Sequence, residues 1–535
     1  MNVTPASETI QAPARQAPAW WSSYIVFTLC ASLYLLPFMR VILAGTDEGT
    51  LLVGAVRIVH GQVFARDFFE AMGPGTFYWL AAFFKLFGVT FLATRICLFI
   101  SSLGTALSLY FLSGRVCSRY RTLPCLILAG TCFGVLWPGI SHHVDSNFFA
   151  LVSVVCLVLW LDGRKNSLLI AAGSLAGVTT CIHQPKGAFL FCAFLMWLWL
   201  QRRRTSASLS SLGLVTGGYF TVVALVLAYF WSRGALSSLV YVNLVWPSLH
   251  YGGANTVVYA NGIFSYYWTN WVMAFGGGAW SVTIAAILIT PFLFIAALPP
   301  LMLLVGVRYK WKSVTPEIAL YWLCGWALWL SEFHRKDIEH LVFGSPLLII
   351  LFVHGLAGSH RKLANAALQL LAISGVCLAG FHCCVVLAAG AHTSATRVGK
   401  VAVLGQEAVL KFLNENVSPG EEILIYPYGP TYYFLSATTN PTRYSLLIYN
   451  YNTPSQFQEV VGILDRRRVK YVIWDTTFES RIAKYVFPGS QPRSPNDLII
   501  EPYLESHYRL VEDDGGIHIM ERKGEDLEKE RRNIP

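Results

Sequence analysis

Long apolar stretches recur along the sequence between Trp20 and Ala389, separated by short polar segments. A helix needs about 20 mostly apolar residues to cross a bilayer, so these stretches predict transmembrane helices. The chain has 535 residues, of which 55% are hydrophobic, and its mean hydropathy is +0.50, which lies outside the range of soluble domains. Its net charge is +10, but basic residues cluster in short loops between the apolar stretches, so the charge does not indicate nucleic-acid binding. A polytopic helical membrane protein is therefore predicted, with the membrane and no nucleic acid as its partner.

Basic residues mark every second connection between the apolar stretches. They are Arg115/Arg119/Arg121, Arg164/Lys165, Arg202/Arg203/Arg204, Arg308/Lys310/Lys312 and Arg361/Lys362. By the positive-inside rule these connections are cytoplasmic, and the alternating acidic or aromatic connections face outward. We expect about eleven spans in the inner (plasma) membrane. The N-terminus is then cytoplasmic, and everything after about Ala389 is extracytoplasmic.

Composition divides the chain into four regions. Residues 1–19, rich in Pro, Ala and Gln, are predicted to be a disordered tail, and residues 20–390 form the membrane domain. Residues 391–523 are predicted to be a small extracytoplasmic α/β domain, because strand-like and helix-like patterns alternate there. Residues 524–535 read as a charged tail.

The α/β domain contains two predicted helices and four predicted strands. The helices are Val401–Val417, which is amphipathic, and Pro454–Arg467. The strands are Glu422–Tyr426, Val469–Asp475, Tyr508–Glu512 and Ile517–Glu521.

Two adjacent carboxylates, Asp47 and Glu48, directly follow the first apolar stretch. Acids at the mouth of a membrane helix are costly and indicate function, although acids that simply face water are the plain alternative. Asp67 and Glu70 belong to the same connection. After them, Gly75–Phe87 is too short to span and is predicted to be an interfacial helix. Carboxylates gathered at the level of the lipid headgroups suit transfer from a membrane-bound donor.

A second outward connection holds His142, His143 and Asp145. Histidine and aspartate are common metal ligands, so a divalent metal is one interpretation; substrate positioning or helix capping is the other. Adjacent histidines are expected to point in different directions on a helix, so we assign no metal ligands. Asp145 is predicted to cap a helix that begins at Asn147. The twelve cysteines show no metal-binding spacing and are interpreted as packing residues.

Cations occur in a connection that is predicted to be external, where they are uncommon. These are Arg335, Lys336 and His340. A lipid phosphate is their expected partner, since arginine offers a bidentate fork and lysine a point charge. A local ion network with Asp337 and Glu339 is the alternative. A weaker candidate of the same kind is the set His183, Gln184 and Lys186.

Three motifs, in this order along the chain, resemble the membrane glycosyltransferases of the GT-C type. They are Asp47-Glu48 after the first span, Phe69-Glu70 followed by Pro74 and Tyr78-Trp79, and His142-His143-Val144-Asp145-Ser146-Asn147 before an apolar helix. By this resemblance the nearest relatives transfer mannose or aminoarabinose from a polyprenyl phosphate. One departure is that Ala71-Met72 replaces the lysine expected after Glu70. Arg66, Arg57 and the Arg335/Lys336 pair are the candidates to replace it.

The resemblance implies an all-α, GT-C-like polytopic membrane domain followed by the small α/β domain. It also implies a polyprenyl-phosphate-linked sugar donor, a lipid, polysaccharide or protein acceptor, and inversion at the anomeric carbon. A sugar phosphate carries a good leaving group, so the enzyme needs a carboxylate base and cations that hold the phosphate. The base is predicted to be Asp47, with Glu70 and Asp145 as alternatives. Glu48 would tune its neighbour or orient the sugar.

The predicted substrate-binding residues come from four connections. They are Arg66, Asp67, His142, His143, Lys186, Arg335, Lys336 and His340. Two other functions stay open, a transporter or flippase and a ligase that joins lipid-linked polymers. A transporter would carry charges or broken helices near the bilayer midplane, whereas the charges here lie at the predicted outer ends of the spans.

Overall fold

The computed structural model describes most of the chain. The described residues are 19–43, 47–132, 139–205, 207–308, 314–358, 362–405, 407–483, 486–490 and 494–524. Nearly all of both predicted tails lies outside these ranges, so the tails stay predictions.

Helices build the N-terminal three quarters of the chain. They are α1 (Ala19–Leu35), α2 (Asp47–Val59), α3 (Gly75–Phe87), α4 (Phe91–Val116), α5 (Leu123–Cys132), α6 (His142–Gly163), α7 (Asn166–Ile182), α8 (Gln184–Thr205), α9 (Leu209–Ser232), α10 (Leu236–Val240), α11 (Gly252–Asn255), α12 (Thr269–Ala274), α13 (Ala279–Ala296), α14 (Leu298–Arg308), α15 (Pro316–Ser331), α16 (Ile338–Gly344), α17 (Pro346–Ala357) and α18 (Lys362–Ala389). The interfacial candidate Gly75–Phe87 forms a helix with the predicted bounds.

Six helices among the described residues are long and apolar enough to cross a membrane. These candidate spans are Ser22–Arg40, Phe91–Val116, His142–Gly163, Leu209–Ser232, Ala279–Ala296 and Lys362–Ala389. The count rises to seven if α16 and α17, which meet at a bend of 70°, form one broken span. The polytopic membrane architecture is therefore confirmed, and the predicted number of about eleven spans is not confirmed.

The start of α6 differs from the prediction. The helix begins at His142, where Ser141 Oγ accepts a hydrogen bond from the His143 backbone N–H at 3.1 Å. Ser141 is therefore the cap, and the predicted cap at Asp145 is wrong. The physical reason is that serine accepts this bond two residues ahead, which starts the helix one turn earlier and leaves Asp145 inside the first turn.

The C-terminal region mixes strands and helices, as predicted. Its elements are β2 (Ser394–Thr396), β3 (Gly399–Leu404), α19 (Glu407–Asn416), β4 (Ile423–Tyr426), α20 (Thr431–Leu435), α21 (Pro454–Arg467), β5 (Tyr471–Asp475), α22 (Ile500–His507), β6 (Tyr508–Asp514) and β7 (Ile517–Arg522). Four strands form a sheet in the order β4-β5-β7-β6, with β4 and β5 parallel and the other pairs antiparallel. The four predicted strands and the helix Pro454–Arg467 are confirmed.

The predicted helix Val401–Val417 is wrong in its first part. Residues up to Leu404 belong to β3, which pairs in parallel with β1 (Val41–Leu43) from the end of the first span. This partner lies more than 350 residues away in the sequence. Backbone hydrogen bonds to β1 therefore decide a conformation that the local pattern leaves open.

One apolar core joins the membrane helices to the C-terminal sheet. The rings of Phe84 on α3 and Phe434 on α20 stack with their centroids 5.8 Å apart. A Cβ added at Gly49 on α2 would lie 2.2 Å from the backbone nitrogen of Thr431, so the glycine allows α2 and α20 to touch. The C-terminal region is thus packed directly on the acidic connection.

Candidate functional site

Asp47 is the first residue of α2 and lies where that helix meets the C-terminal region. The Tyr428 hydroxyl donates a hydrogen bond to Asp47 Oδ1 at 2.6 Å. The positive end of the α2 dipole also favours a carboxylate at this position. Asp47 is half-buried, so its carboxylate is held in one orientation and can still be approached.

Glu70 is buried in the connection between α2 and α3. Burial raises the pKa of Glu70 to about 8; the charge of Asp47 adds to the shift, while Ser445 and Arg57 oppose it. Glu70 is therefore mainly protonated at neutral pH and can donate a hydrogen bond. Its Oε1 has no hydrogen-bond partner among the residues that the structure describes. Asp47 therefore lies close enough to Glu70 for its charge to contribute to the raised pKa of that carboxyl.

The acidic connection is fastened to the C-terminal region by backbone contacts. The Phe69 N–H donates to the Arg443 carbonyl at 2.8 Å, and Arg57 Nη2 donates to the Thr442 carbonyl at 2.6 Å. The Arg443 guanidinium returns a bond to the Ala65 carbonyl at 3.1 Å. Arg57, one of the candidates to replace the missing lysine, is thereby engaged in holding the fold.

Glu48 points away from this environment and forms a buried ion pair with Arg95 of α4. Arg95 Nη1 lies 2.5 Å from Oε1 and Nη2 lies 3.3 Å from Oε2, and both side chains are 3% exposed. The Ile140 N–H donates to Oε1 at 3.0 Å. This geometry gives Glu48 structural partners, and its catalytic role stays a prediction.

Asp145 is buried on α6 and faces α4. The Ser101 hydroxyl donates to its Oδ1 at 2.7 Å. The metal interpretation of that connection required Asp145 to act together with His142 and His143. Its hydrogen bond with Ser101 instead directs the carboxylate towards α4.

Five histidine rings form a cluster at the start of α6. His142 and His143 have ring centroids 4.0 Å apart, so the expectation that they diverge is wrong. The cluster is completed by His183, His334 and His340, with centroid separations of 4.7 to 5.9 Å between further pairs. Because α6 begins at His142, both histidines lie in its first turn and meet the neighbouring connections.

A buried ion pair lies beside these histidines. Lys186 Nζ is 2.7 Å from Glu332 Oε1 and donates to Asn147 Oδ1 at 2.8 Å. Glu332 Oε2 lies 3.4 Å from His143 Nδ1. Lys186, a predicted phosphate ligand, is fully buried and already has two partners, and its role in substrate binding stays a prediction.

Two groups of side chains in this cluster have the composition of a metal site. His142, His143 and His183 bring one ligand atom each within 4.8 Å of one another, and so do His183, Glu332 and His334. The predicted site residues do not include Glu332 or His334, because the members of these groups come from connections that are far apart in the chain. The signal that could have found them is their presence, with Arg335 and His340, in one histidine-rich external connection.

The Arg335 guanidinium is the centre of a hydrogen-bond network. It donates to Asp337 Oδ2 at 2.7 Å, to Asn255 Oδ1 at 2.7 Å and to the Val486 carbonyl at 2.6 Å. Burial favours the neutral form of Asp337, but His340 and Arg335 hold its pKa well below the ordinary value. The part of the alternative ion network that involves Asp337 is therefore present, whereas Glu339 accepts a hydrogen bond from the Tyr267 hydroxyl at 3.3 Å. Lys336 is half-buried beside it.

Two half-buried tyrosines, Tyr251 and Tyr451, lie near both Arg335 and Asp47. Burial raises the pKa of Tyr251 to about 12; Arg335 opposes this shift, and Asp337 and Asp47 add to it. Burial also raises the pKa of Tyr451, and the charges of Glu70 and Asp47 contribute. Asp47, Glu70 and Arg335 thus lie close enough to act on one another's charge, together with Tyr251, Tyr428 and Tyr451, and we call this group of six residues the chamber. The sequence did not assign Tyr428 or Tyr451 to a site, because both lie in the C-terminal region.

Arg66 and Asp67 form a surface pair. Arg66 Nη2 lies 2.8 Å from Asp67 Oδ2, with the side chains 43% and 28% exposed, and Arg66 Nη1 donates to the Arg233 carbonyl at 2.8 Å. Asp67 also accepts the Val63 N–H at 2.7 Å. These bonds shape the connection, and the substrate-binding roles of both residues stay predictions.

The fold of the chain is similar to that of ArnT, a protein of known structure. Two crystal structures of ArnT from Cupriavidus metallidurans, one bound to undecaprenyl phosphate and one in the apo state, match with a TM-score of 0.53 and 12% identity. They cover 94% and 95% of this chain and 98% and 99% of ArnT. At this identity the likeness establishes the fold alone.

Sequence similarity to known proteins is not detected for this chain. No protein-family model and no curated protein sequence matches the chain. The cryo-EM structure of the arabinosyltransferase EmbB from Mycobacterium smegmatis matches 72% of this chain and 42% of its own, at 14% identity. Its TM-score of 0.35 is too low to carry an argument.

Proposed function

We propose that the protein is an integral membrane glycosyltransferase that transfers a sugar from a polyprenyl-phosphate donor to an extracytoplasmic acceptor, with inversion. The observation that carries the proposal is the half-buried Asp47 carboxylate, held by Tyr428 in a chamber that also contains Glu70 and Arg335. The fold that the chain shares with ArnT, whose crystal structure contains undecaprenyl phosphate, supports a donor of the same lipid class.

Asp47 is proposed as the general base. An inverting transfer needs one carboxylate that takes the proton of the acceptor hydroxyl as that oxygen attacks the anomeric carbon. The Tyr428 hydroxyl bond occupies one carboxylate oxygen and fixes the orientation of the other. Glu70, mainly protonated at neutral pH, is proposed to donate a hydrogen bond to substrate rather than to accept its proton.

The departing phosphate requires positive charge. Arg335 is proposed to supply it, because its buried guanidinium is kept charged by Asp337 and shares the chamber with Asp47. The existing bonds from Arg335 to Asn255 and Asp337 would hold the guanidinium in place for a phosphate oxygen. Lys336 and His340 are proposed as its neighbours in this role.

The proposed orientation places the chamber and the C-terminal region outside the cell membrane and the N-terminus in the cytoplasm. It rests on the basic connections named above and on the packing of the C-terminal region over the acidic connection. In this arrangement the C-terminal region closes one side of the chamber and is positioned to recognise the acceptor, whether lipid, polysaccharide or protein.

The test is transfer from a radiolabelled polyprenyl-phosphate sugar by the purified full-length protein in detergent. Asp47→Asn keeps the shape of the side chain and removes the proton acceptor, so the rate at saturating donor should fall by about 10²–10⁴-fold while donor binding survives. Tyr428→Phe should cost less, because it releases the base without removing it. The matched control is Asp162→Asn, an exposed aspartate that pairs with Arg115 outside the chamber.

Three results would contradict parts of the proposal. If Asp47→Asn is active and Glu70→Gln is inactive, Glu70 is the base. If Asp47→Asn is active and Asp145→Asn is inactive, Asp145 is the base. If all three variants transfer sugar at the native rate, the glycosyltransferase proposal fails.

A further inference from the structure

We propose that His142, His143 and His183 bind one divalent transition-metal ion, with Zn²⁺ as the best match. The proposal concerns the histidine cluster and does not rest on the glycosyltransferase activity. The three imidazoles come from two places in the chain, the first turn of α6 and the connection between α7 and α8. Their ligand atoms lie within 4.8 Å of one another, so side-chain rotations bring all three to the Zn–N distance of about 2.0–2.1 Å.

Two of the ring nitrogens are available to a ligand. Nδ1 of His142 and Nδ1 of His183 make no hydrogen bond within the described part of the chain, and His183 is only 4% exposed. A buried polar atom without a partner costs free energy, and a metal ion that accepts the lone pair of the nitrogen would remove that cost. Lone pairs of neutral imidazoles are ligands for zinc, copper, iron and nickel, whereas magnesium and calcium require oxygen ligands.

Glu332 gives His143 the environment of a zinc ligand. Its Oε2 faces His143 Nδ1 at 3.4 Å, which favours the tautomer with the proton on Nδ1 and the lone pair on Nε2. Metal-bound histidines usually have such a carboxylate behind them. The buried carboxylate also supplies negative charge next to the cation. Three histidines leave a fourth position open, as in catalytic zinc sites.

The second histidine group fits a cation less well. In the set His183, Glu332 and His334 the carboxylate is already paired with Lys186, whose Nζ lies 2.7 Å from Oε1. An ion bound to this carboxylate would lie close to the lysine charge and would be repelled by it.

The experiment uses the full-length protein, stripped with a chelator in detergent and then equilibrated with Zn²⁺. Mass spectrometry of the separated protein gives the stoichiometry, and the visible absorption of bound Co²⁺ reports the ligand geometry. We expect one Zn²⁺ per chain in the native protein. His183→Ala should weaken Zn²⁺ binding by at least about 100-fold. Loss of a residue that only hydrogen-bonds to a metal ligand costs up to about 100-fold, and loss of a ligand itself should cost no less.

His60→Ala is the matched control, since His60 is exposed and outside the cluster, and it should bind Zn²⁺ as the native protein does. Size-exclusion chromatography checks the fold; if His183→Ala does not fold, His142→Ala replaces it, because His142 is only half-buried. Three results would overturn the proposal. They are no stoichiometric Zn²⁺ in the native protein, native affinity in the variant that folds, and loss of binding in His334→Ala with retention in His142→Ala.

Discussion

Glu48→Gln is expected to damage the fold before it affects any chemistry. The substitution removes the charge that balances Arg95, and both side chains are 3% exposed. Breaking a buried ion pair from one side costs about 3–5 kcal/mol, because the remaining charge is left without compensation. That cost changes the unfolding equilibrium by about 10²–10⁴-fold, since each 1.36 kcal/mol is a factor of ten. It is a large part of the stability of about 5–15 kcal/mol that is usual for folded proteins.

A second substitution separates charge from shape. In the double variant Glu48→Gln, Arg95→Met the unpaired cation is gone, and replacement of a buried pair by uncharged side chains is often close to neutral. The double variant should therefore be more stable than Glu48→Gln alone. The matched control is Arg115→Met, which breaks partly exposed pairs with Asp162 and Glu317 and should cost at most about 1 kcal/mol for each pair.

The measurement is thermal and denaturant unfolding of the purified variants in detergent, followed by intrinsic fluorescence. Sugar transfer is assayed at a temperature well below each midpoint. If Glu48→Gln unfolds with the native midpoint but has lost activity, Glu48 acts in catalysis and the structural interpretation is refuted. If the double variant is less stable than the single one, an unpaired Arg95 is not the source of the cost.

Three further predictions concern the chamber and the orientation. Burial raises the pKa of Glu70 to about 8 in the folded protein, above its ordinary value of 4.5. As the pH rises, Glu70 therefore loses its proton in the unfolded chain before it does so in the folded protein, and the free energy of unfolding falls between about pH 4.5 and about pH 8. Glu70→Gln lacks this loss, so relative to the native protein its free energy of unfolding should rise by up to about 1.4 kcal/mol per pH unit in that window. The measurement is the difference between the unfolding midpoints of the variant and the native protein at about pH 5.5 and at about pH 8. A difference that is the same at both pH values would contradict the raised pKa. Arg335→Lys should weaken binding of a polyprenyl-phosphate donor in equilibrium titration, because one ammonium cannot reproduce the guanidinium fork, and native affinity in the folded variant would leave only the ion network as the role of Arg335. In a background without accessible cysteines, Ser455→Cys should react with an impermeant thiol reagent in intact cells and Arg203→Cys should not; the reverse result would invert the topology.

The sequence by itself determined the parts of the protein that depend on local pattern. Apolar length and basic connections predicted a polytopic membrane protein. A short apolar run predicted α3 and a helix-like pattern predicted α21, both with the bounds that the structure shows. Alternating patterns gave β5 and β7 to within two residues. These elements depend on which of their faces is buried and which faces water or lipid, and the order of apolar and polar residues along the chain shows this directly.

Tertiary structure alone decided which polar side chains share partners. Asp47 and Glu48 are adjacent in the chain, yet Tyr428 of the C-terminal region binds the first and Arg95 of α4 binds the second. Residues 401–404 became strand β3 because strand β1 lies beside them. The histidine cluster and the chamber are assembled from connections separated by up to hundreds of residues. No local pattern encodes such contacts, since they arise only when the helices pack and bring the ends of distant segments together.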